Sequence, residues 1–204
     1  MNHKITLLRH GLSVGNQQGI IQGQKDYPLA SAGVEQTRSL LRFWKNHAVC
    51  FDTIIASPLL RAKQTAEILS VGLGISLEFD QAWCERHQGK AEGQLYSEAK
   101  QEYALYSHAS PYDPIFETGE SRWELFIRAA TAMQSLLRRP AGAYLVVSHG
   151  AILNAAIHTV LGISPDWTRP VRLSFNNTAY ALLEYNLEDA RWFLHNLNMT
   201  IHLA

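Results

Sequence analysis

Two histidines follow short apolar runs in nearly the same local sequence. The first stands in Leu-Arg-His-Gly at 8–11 and the second in Val-Ser-His-Gly at 147–150. An apolar run that ends in a glycine-containing turn is typical of a buried parallel strand. Ligands of open α/β sheets bind at the carboxyl ends of the strands. We therefore expect the rings of His10 and His149 to meet at one sheet edge, and rings on opposite faces of the sheet would exclude this interpretation.

Two arginines add positive charge to this predicted edge. Arg9 precedes His10, and Arg61 follows a third apolar run at the start of a predicted helix. Guanidinium groups bind phosphate oxygens in a bidentate manner, and a helix amino end attracts anions. A neutral imidazole nitrogen can attack phosphorus, and a nearby carboxylic acid can protonate the leaving alkoxide and later activate water. The set predicts phosphoryl transfer rather than metal or carbonyl chemistry.

The order of motifs along the chain resembles the histidine phosphatase superfamily, in the branch that includes cofactor-dependent phosphoglycerate mutases and related phosphatases. The resemblance covers nearly the whole chain, and an ordered set is far more specific than Arg-His-Gly alone. It rests on Arg9-His10-Gly11, Ser13, Asn16, Gly23, Asp26, Pro28, Leu29, Gly33, Ser57-Pro58-Leu59, Arg61, Ala62, Gln64, Thr65, Ala66, Glu85, Gly89, Glu92, Gly93, Gly119-Glu120-Ser121 and Ser148-His149-Gly150.

The resemblance implies a role for each site residue. His10 would be the phosphorylated nucleophile, and Glu85 the proton donor. The phosphoryl group would be held by Arg9, Arg61 and His149, and further substrate contacts would come from Asn16, Ser13 and Gly23. Family members need no metal, because arginines and histidine neutralise the developing charge. No cofactor is expected for this chain. The expected partner is a small phosphate monoester.

The elements that must position these residues indicate an α/β fold. We expect a three-layer α/β/α sandwich around a mostly parallel sheet, as a single domain over 1–204. Apolar periodicity predicts helices near 31–47, 61–69, 120–138 and 151–161, with Ser31 and Thr118 as caps of the first and third. Strands are predicted at 5–8, 53–56, 75–79, 144–147, 179–185 and 192–197.

A lid-like insertion is expected at about 86–118, where periodicity is weak and two prolines occur. It should consist of short helices and loops over the crevice. We interpret the nearby aromatics Tyr96, Tyr103, Tyr106 and Trp123 as core residues in preference to pocket residues. His87 is the remaining histidine with the best claim to a role, because it is close to Glu85.

Composition limits the classes of function. The chain has 204 residues with 18 basic and 18 acidic side chains, so it has no overall field for nucleic acid or a membrane surface. The amino terminus lacks the long apolar segment of a signal peptide or membrane span, which predicts a cytoplasmic protein. Two cysteines indicate neither a disulfide framework nor a zinc site. A homodimer is compatible with the sequence.

Hydrolysis is the preferred reaction, and two alternatives stay open. A mutase must hold a second anionic group, yet between Glu85 and Thr118 the basic residues other than histidine are Arg86, Lys90 and Lys100. Glu85-Arg86-His87 nevertheless resembles the mutase form of this segment. A catalytically silent binding module is the other alternative. Sugar phosphates, nucleotide precursors and phosphorylated cofactor intermediates such as α-ribazole phosphate are all compatible substrates.

Overall fold

A six-stranded sheet forms the centre of the computed structural model, which describes residues 2–103, 110–165 and 171–204. The strand order is β3-β2-β4-β1-β5-β6, in which the first four strands are parallel and the last two are antiparallel to their neighbours. The predicted mostly parallel sheet is confirmed. The strands are β1 (Asn2–Arg9), β2 (Thr53–Ala56), β3 (Leu77–Phe79), β4 (Ala143–Ser148), β5 (Tyr180–Asn186) and β6 (Arg191–Met199).

The central strands are apolar on both faces because helices cover both sides of the sheet. Along β4, Tyr144 and Val146 join one core cluster, whereas Leu145 and Val147 join the other. All four side chains are buried. This explains why the strand reads as a continuous apolar run rather than an alternating one.

Two helices pack on each face of the sheet. The first core cluster includes residues of α5 and α6, and the second includes residues of α2 and α3. The structure therefore has the three layers expected from the sequence. The α-helices are α1 (Val14–Gln17), α2 (Ser31–Asn46), α3 (Leu60–Leu73), α4 (Tyr96–Glu102), α5 (Arg122–Leu137) and α6 (Gly150–Leu161).

Both predicted side-chain caps are wrong. Ser31 is already helical, and Ala30 is the N-cap without a side-chain hydrogen bond. Thr118 lies before α5, whose true cap is Ser121: its hydroxyl accepts from the Glu124 backbone N–H, and the Glu124 carboxylate accepts from the Ser121 N–H. This reciprocal pair is the capping box that Ser-x-x-Glu predicts.

The third strand is shorter than predicted. The N–H of Ile75 donates to the Ser70 carbonyl, and the Ser70 hydroxyl donates back to the Ile75 carbonyl. These bonds hold Ile75 in the turn that ends α3, so β3 begins only at Leu77. Gly74 adopts the left-handed conformation that closes the helix, which extends to Leu73 rather than to the predicted residue 69.

The segment 86–118 contains short elements, as expected. They are 3-10 turns at Gly89–Ala91 and Ile115–Glu117 and the helix α4. Tyr103 is buried with Ala91 and Ala99 in a small cluster of its own. Tyr96 is 62% exposed, against the core interpretation, while Tyr106 lies outside the described residues. Within the described ranges, no helix has the length and apolar character needed to span a bilayer.

Candidate active site

The strand register brings the segments that follow β1 and β4 together at one sheet edge. Arg9 of β1 pairs with Ser148 of β4, so the two following histidines leave the sheet side by side. The N–H of His10 donates to the Ser148 carbonyl at 2.9 Å. The rings of His10 and His149 lie 5.1 Å apart between centroids, at 59° to each other. The predicted meeting of the two imidazoles is therefore found.

The local hydrogen bond of His10 determines which ring nitrogen can react. Nδ1 lies 2.7 Å from the carbonyl oxygen of Gly11, which can only accept, so Nδ1 carries the proton. Burial, followed by the charges of Arg61 and Arg9, lowers the pKa of His10 well below its usual 6.5. The ring is therefore neutral at pH 7, and Nε2 presents a free lone pair.

His149 is fully buried and is held by Ser57. Its Nε2 lies 2.8 Å from the Ser57 hydroxyl oxygen, and its buried Nδ1 has no partner within the described part of the chain. Burial, then the charge of Arg61, lowers the pKa of His149 well below 6.5, so this ring is neutral as well. If Ser57 donates to Nε2, the proton resides on Nδ1 and can be donated to an oxygen of a bound anion.

Arg9 and Arg61 are anchored by backbone carbonyls, which orient a guanidinium without neutralising it. Arg9 donates from Nη1 to the Phe175 carbonyl at 2.5 Å. Arg61 is the second residue of α3, and its side chain is buried. It donates to the carbonyls of Lys25 and Gly23 at 3.0 and 2.7 Å. Burial lowers the pKa of both groups, and the Glu85 carboxylate opposes that effect. Two charged donors beside two neutral imidazoles suit a dianion.

Glu85 lies at the amino end of α6. Its carboxylate accepts from the backbone N–H groups of Ala151 and Ile152 at 3.2 to 3.3 Å, and from Arg86 N–H at 2.8 Å. These donors fix the position of the Glu85 carboxyl group at the helix end. The predicted proton donor thus binds the backbone N–H groups two and three residues after His149.

A partly buried ion pair that sequence reasoning missed holds the backbone at and before Glu85. Arg128 of α5 binds both carboxylate oxygens of Glu120, at 2.8 and 2.6 Å. Its Nη1 also donates to the carbonyls of Ala82 and Cys84, at 2.9 and 2.7 Å. A planar guanidinium can fix two chain segments in this way, whereas a lysine cannot. Apolar periodicity gives no signal for Arg128, because its contacts lie outside its own helix.

Asn16 lies at the cavity, and Ser13 has a different environment. Ser13 is fully buried, and its hydroxyl caps α1 by accepting from Asn16 N–H. We therefore assign Ser13 to the support of the loop rather than to substrate contact. Asn177, which the sequence did not single out, donates to the His10 carbonyl at 3.1 Å and to Asn16 Oδ1 at 3.3 Å.

Gly23 contributes through its backbone conformation. It has φ +50°, and a Cβ at this position would lie 2.0 Å from Oε1 of Glu92. That carboxylate accepts from the N–H groups of Gln24 and Gln88, which joins the two loops. Because the Gly23 carbonyl also accepts from Arg61, this glycine helps to position the Arg61 guanidinium.

A cavity of about 920 Å³ opens at these residues. His10, Arg9, Arg61, Asn16, Gly23 and Glu85 line it. Arg86 joins them from the segment 86–118, and Arg122 and Arg172 line the cavity from outside that segment. His87 is placed beside Glu92, with 3.9 Å between Nε2 and Oε1. In the described residues, no three histidine, cysteine or acidic side chains are grouped so as to hold a metal ion.

Comparisons with known proteins agree with this geometry. The family model described as the histidine phosphatase superfamily (branch 1) matches residues 5–200. A relative from Salmonella choleraesuis, named probable phosphoglycerate mutase GpmB, is 31% identical over 193 residues, which cover 93% of this chain and 87% of the relative.

Solved structures show the same fold. YhfR from Bacillus stearothermophilus has a TM-score of 0.86 at 26% identity, covering 99% of this chain and 100% of that one. A putative alpha-ribazole-5'-P phosphatase from Escherichia coli has a TM-score of 0.85 at 23% identity, with 97% of each chain covered. With the strand-end histidines and arginines in place, the matches over nearly the full length show that this chain belongs to the histidine phosphatase superfamily.

Proposed function

We propose that this protein is a phosphomonoesterase that hydrolyses small phosphorylated metabolites through a phosphohistidine at His10. The observation that carries the proposal is the hydrogen bond from His10 Nδ1 to the Gly11 carbonyl. It leaves Nε2 unprotonated among positive charges, which is what an in-line attack on an anionic phosphorus requires.

The first step forms the bond between Nε2 and phosphorus and breaks the bond between phosphorus and the ester oxygen. Arg9, Arg61 and the Nδ1–H of His149 would hold the phosphoryl oxygens. Protonated Glu85 would give its proton to the leaving alkoxide. In the second step Glu85, now a carboxylate, takes a proton from the attacking water, and the phosphohistidine is released as inorganic phosphate and neutral His10.

The experiment combines turnover with trapping of the intermediate. We expect the wild-type protein to hydrolyse p-nitrophenyl phosphate in the presence of a chelator, and acid-labile phosphate to be found on the peptide that contains His10. His10→Ala should lose both signals, whereas His47→Ala, at an exposed histidine away from the site, should keep both. Retained turnover in His10→Ala would exclude the mechanism.

Mutase activity is a second candidate, supported by the three additional arginines at the cavity. Arg86 lies between Glu85 and Thr118, but Arg122 and Arg172 reach the cavity from elsewhere in the chain. A relative named as a probable phosphoglycerate mutase also favours this candidate. With 3-phosphoglycerate and bisphosphoglycerate we expect little 2-phosphoglycerate by phosphorus NMR, and rapid interconversion would reverse the preference.

A further inference from the structure

One part of the cavity wall is apolar and partly aromatic. Its side chains include Tyr96, Ile115, Phe116, Leu125, Phe126 and Ile163. Leu125 and Phe126 belong to α5, so this part of the wall is fixed by the main core. Tyr96, Ile115 and Phe116 come from the segment 86–118, and Ile163 follows α6. Such a surface does not contribute to the binding of phosphate itself, because apolar contacts do not stabilise the polar phosphate oxygens.

Phe116 has a backbone conformation that a bulky residue rarely adopts. Its φ and ψ are 46° and 48°, in the left-handed region, and the next residue, Glu117, has φ 68°. Glycine or asparagine would occupy this region at much lower cost. Such outliers persist where the surrounding structure enforces them, and they cluster at ligand-binding sites.

The surrounding contacts do enforce the turn. The N–H of Thr118 donates to the Phe116 carbonyl at 2.9 Å, and Gly119 N–H donates to the Ile115 carbonyl at 2.7 Å. Gly89 permits the close approach, since a Cβ there would lie 2.7 Å from the Phe116 carbonyl oxygen. The ring packs edge-on against Tyr103, with 5.4 Å between centroids, and remains only partly buried. The turn therefore fixes an aromatic ring at the cavity.

Tyr96 adds a second aromatic ring at the same wall. It is 62% exposed although it lines the cavity. Aromatic rings that are exposed or only partly buried offer apolar surface that a ligand can cover, and aromatic rings pack favourably in offset or edge-on arrangements.

We infer that the substrate carries a planar aromatic group on the organic side of its phosphate ester, and that Phe116 is a specificity-determining residue for it. The inference rests on the proposed phosphomonoesterase activity and adds the substrate class to it. The aromatic group would contact Phe116 and Tyr96 while the ester phosphorus lies at His10.

The test uses substrates with the same type of leaving group, so that chemical reactivity does not mask binding. For 2-phenylethyl phosphate, ethyl phosphate and 2-cyclohexylethyl phosphate, kcat/KM is measured in the wild type and in variants. We expect 2-phenylethyl phosphate to exceed ethyl phosphate by at least about tenfold and to exceed the cyclohexyl ester by about threefold, the range of an aromatic pair.

The variant Phe116→Asn keeps a residue that tolerates the left-handed region and removes the ring. We expect it to lower the preference for the phenyl ester about three- to tenfold, mainly through KM, with little change for ethyl phosphate. The matched control Glu117→Asn changes the neighbouring left-handed residue, whose side chain pairs with Lys90, and should keep the preference.

The outcomes separate this inference from the function on which it rests. Equal kcat/KM values for the phenyl and ethyl esters, or for the phenyl and cyclohexyl esters, would overturn the aromatic assignment while hydrolysis itself persists. An unchanged preference in Phe116→Asn would remove the role of Phe116. Failure to hydrolyse these esters and p-nitrophenyl phosphate alike would reject the proposed function and the inference together.

Discussion

The hydroxyl of Ser57 lies 2.8 Å from Nε2 of His149, and this contact can fix the tautomer of the second imidazole. Ser57 follows β2 and its N–H donates to the Val147 carbonyl of β4, so the neighbouring strand holds the serine next to the histidine it orients. A neutral ring with its proton on Nε2 would turn a lone pair toward the phosphoryl oxygens. Ser57 is thus a positioning residue.

Replacement of Ser57 should therefore impair catalysis through His149. Mutation of the orienting partner of a metal-bound histidine typically lowers metal affinity or activity about 10- to 100-fold. By analogy, we expect Ser57→Ala to lower kcat/KM by a similar factor. Ser57→Thr keeps the hydroxyl and should restore a large part of the loss. Steady-state kinetics with p-nitrophenyl phosphate and urea unfolding would be measured for both variants. Equal activity of the two would show that the hydroxyl does not act.

The Arg128–Glu120 pair should affect turnover without touching the substrate. Arg128→Lys retains the charge but loses the planar contacts to Glu120 and to the carbonyls before Glu85, so we expect kcat to fall about tenfold with a smaller change in KM. The control Arg38→Lys alters an exposed arginine that pairs with Glu35 three residues away and should leave kcat unchanged. An unaltered kcat in Arg128→Lys would mean that Glu85 is held by other contacts.

Gly23 should be sensitive to a single added carbon. Gly23→Ala places a methyl group against the Glu92 carboxylate and shifts the carbonyl that anchors Arg61, so we expect more than a tenfold loss of kcat/KM. The matched control is Gly74→Ala, because Gly74 is also left-handed, with φ +69°, and nothing lies within 4 Å of its added Cβ. Both variants should lose about 1–2 kcal/mol of unfolding free energy. Loss of activity in both variants would indicate a global rather than a local effect.

His202 should make stability depend on pH. Burial lowers its pKa from 6.5 to about 4, and its Nε2 lies 3.0 Å from the Thr178 hydroxyl. Between pH 6.5 and about 4 the unfolded chain binds a proton that the folded chain does not, so the unfolding free energy falls as pH is lowered through this window. One residue contributes a slope of at most about 1.4 kcal/mol per pH unit.

Replacing this histidine with a residue that does not titrate should flatten the pH dependence. We expect His202→Gln to reduce the slope of unfolding free energy against pH between 6.5 and 4, as measured by urea unfolding at several pH values. Other buried histidines, including His10 and His149, will keep part of the slope. A slope identical to that of the wild type would mean that folded His202 takes up its proton in the same range as the unfolded chain.

The main elements were predictable because their apolar patterns are local. The strands before His10, Ser57 and His149 agree with the predicted runs to within a few residues, and both left-handed helix ends, at Gly74 and Gly162, carry a glycine. The cap of α5 was misplaced although Ser-x-x-Glu was present at 121–124. Thr118 is a residue type that caps helices, but the reciprocal Ser-x-x-Glu motif identifies Ser121 as the cap.

The supporting residues of the site were not predictable from local patterns. Arg128 reaches Glu120, two residues before its own helix, and carbonyls on another segment, while Asn177 reaches back to the His10 carbonyl from the opposite part of the chain. Arg122 and Arg172 reach the cavity from outside the segment 86–118, so the composition of that segment does not reveal them. Contacts of this kind depend on the strand order, which brings distant segments to one edge.

The two histidines follow β1 and β4, which form the innermost pair of the sheet, whereas Phe116 and Tyr103 belong to a small satellite cluster. Amide hydrogen exchange would be slowest where the nucleophile is attached and faster around the aromatic wall. If His10 and Phe116 act as proposed, reaction chemistry and substrate selection depend on cooperative units of different stability. During evolution the segment 86–118 can change to admit another ester while the reacting groups remain in register.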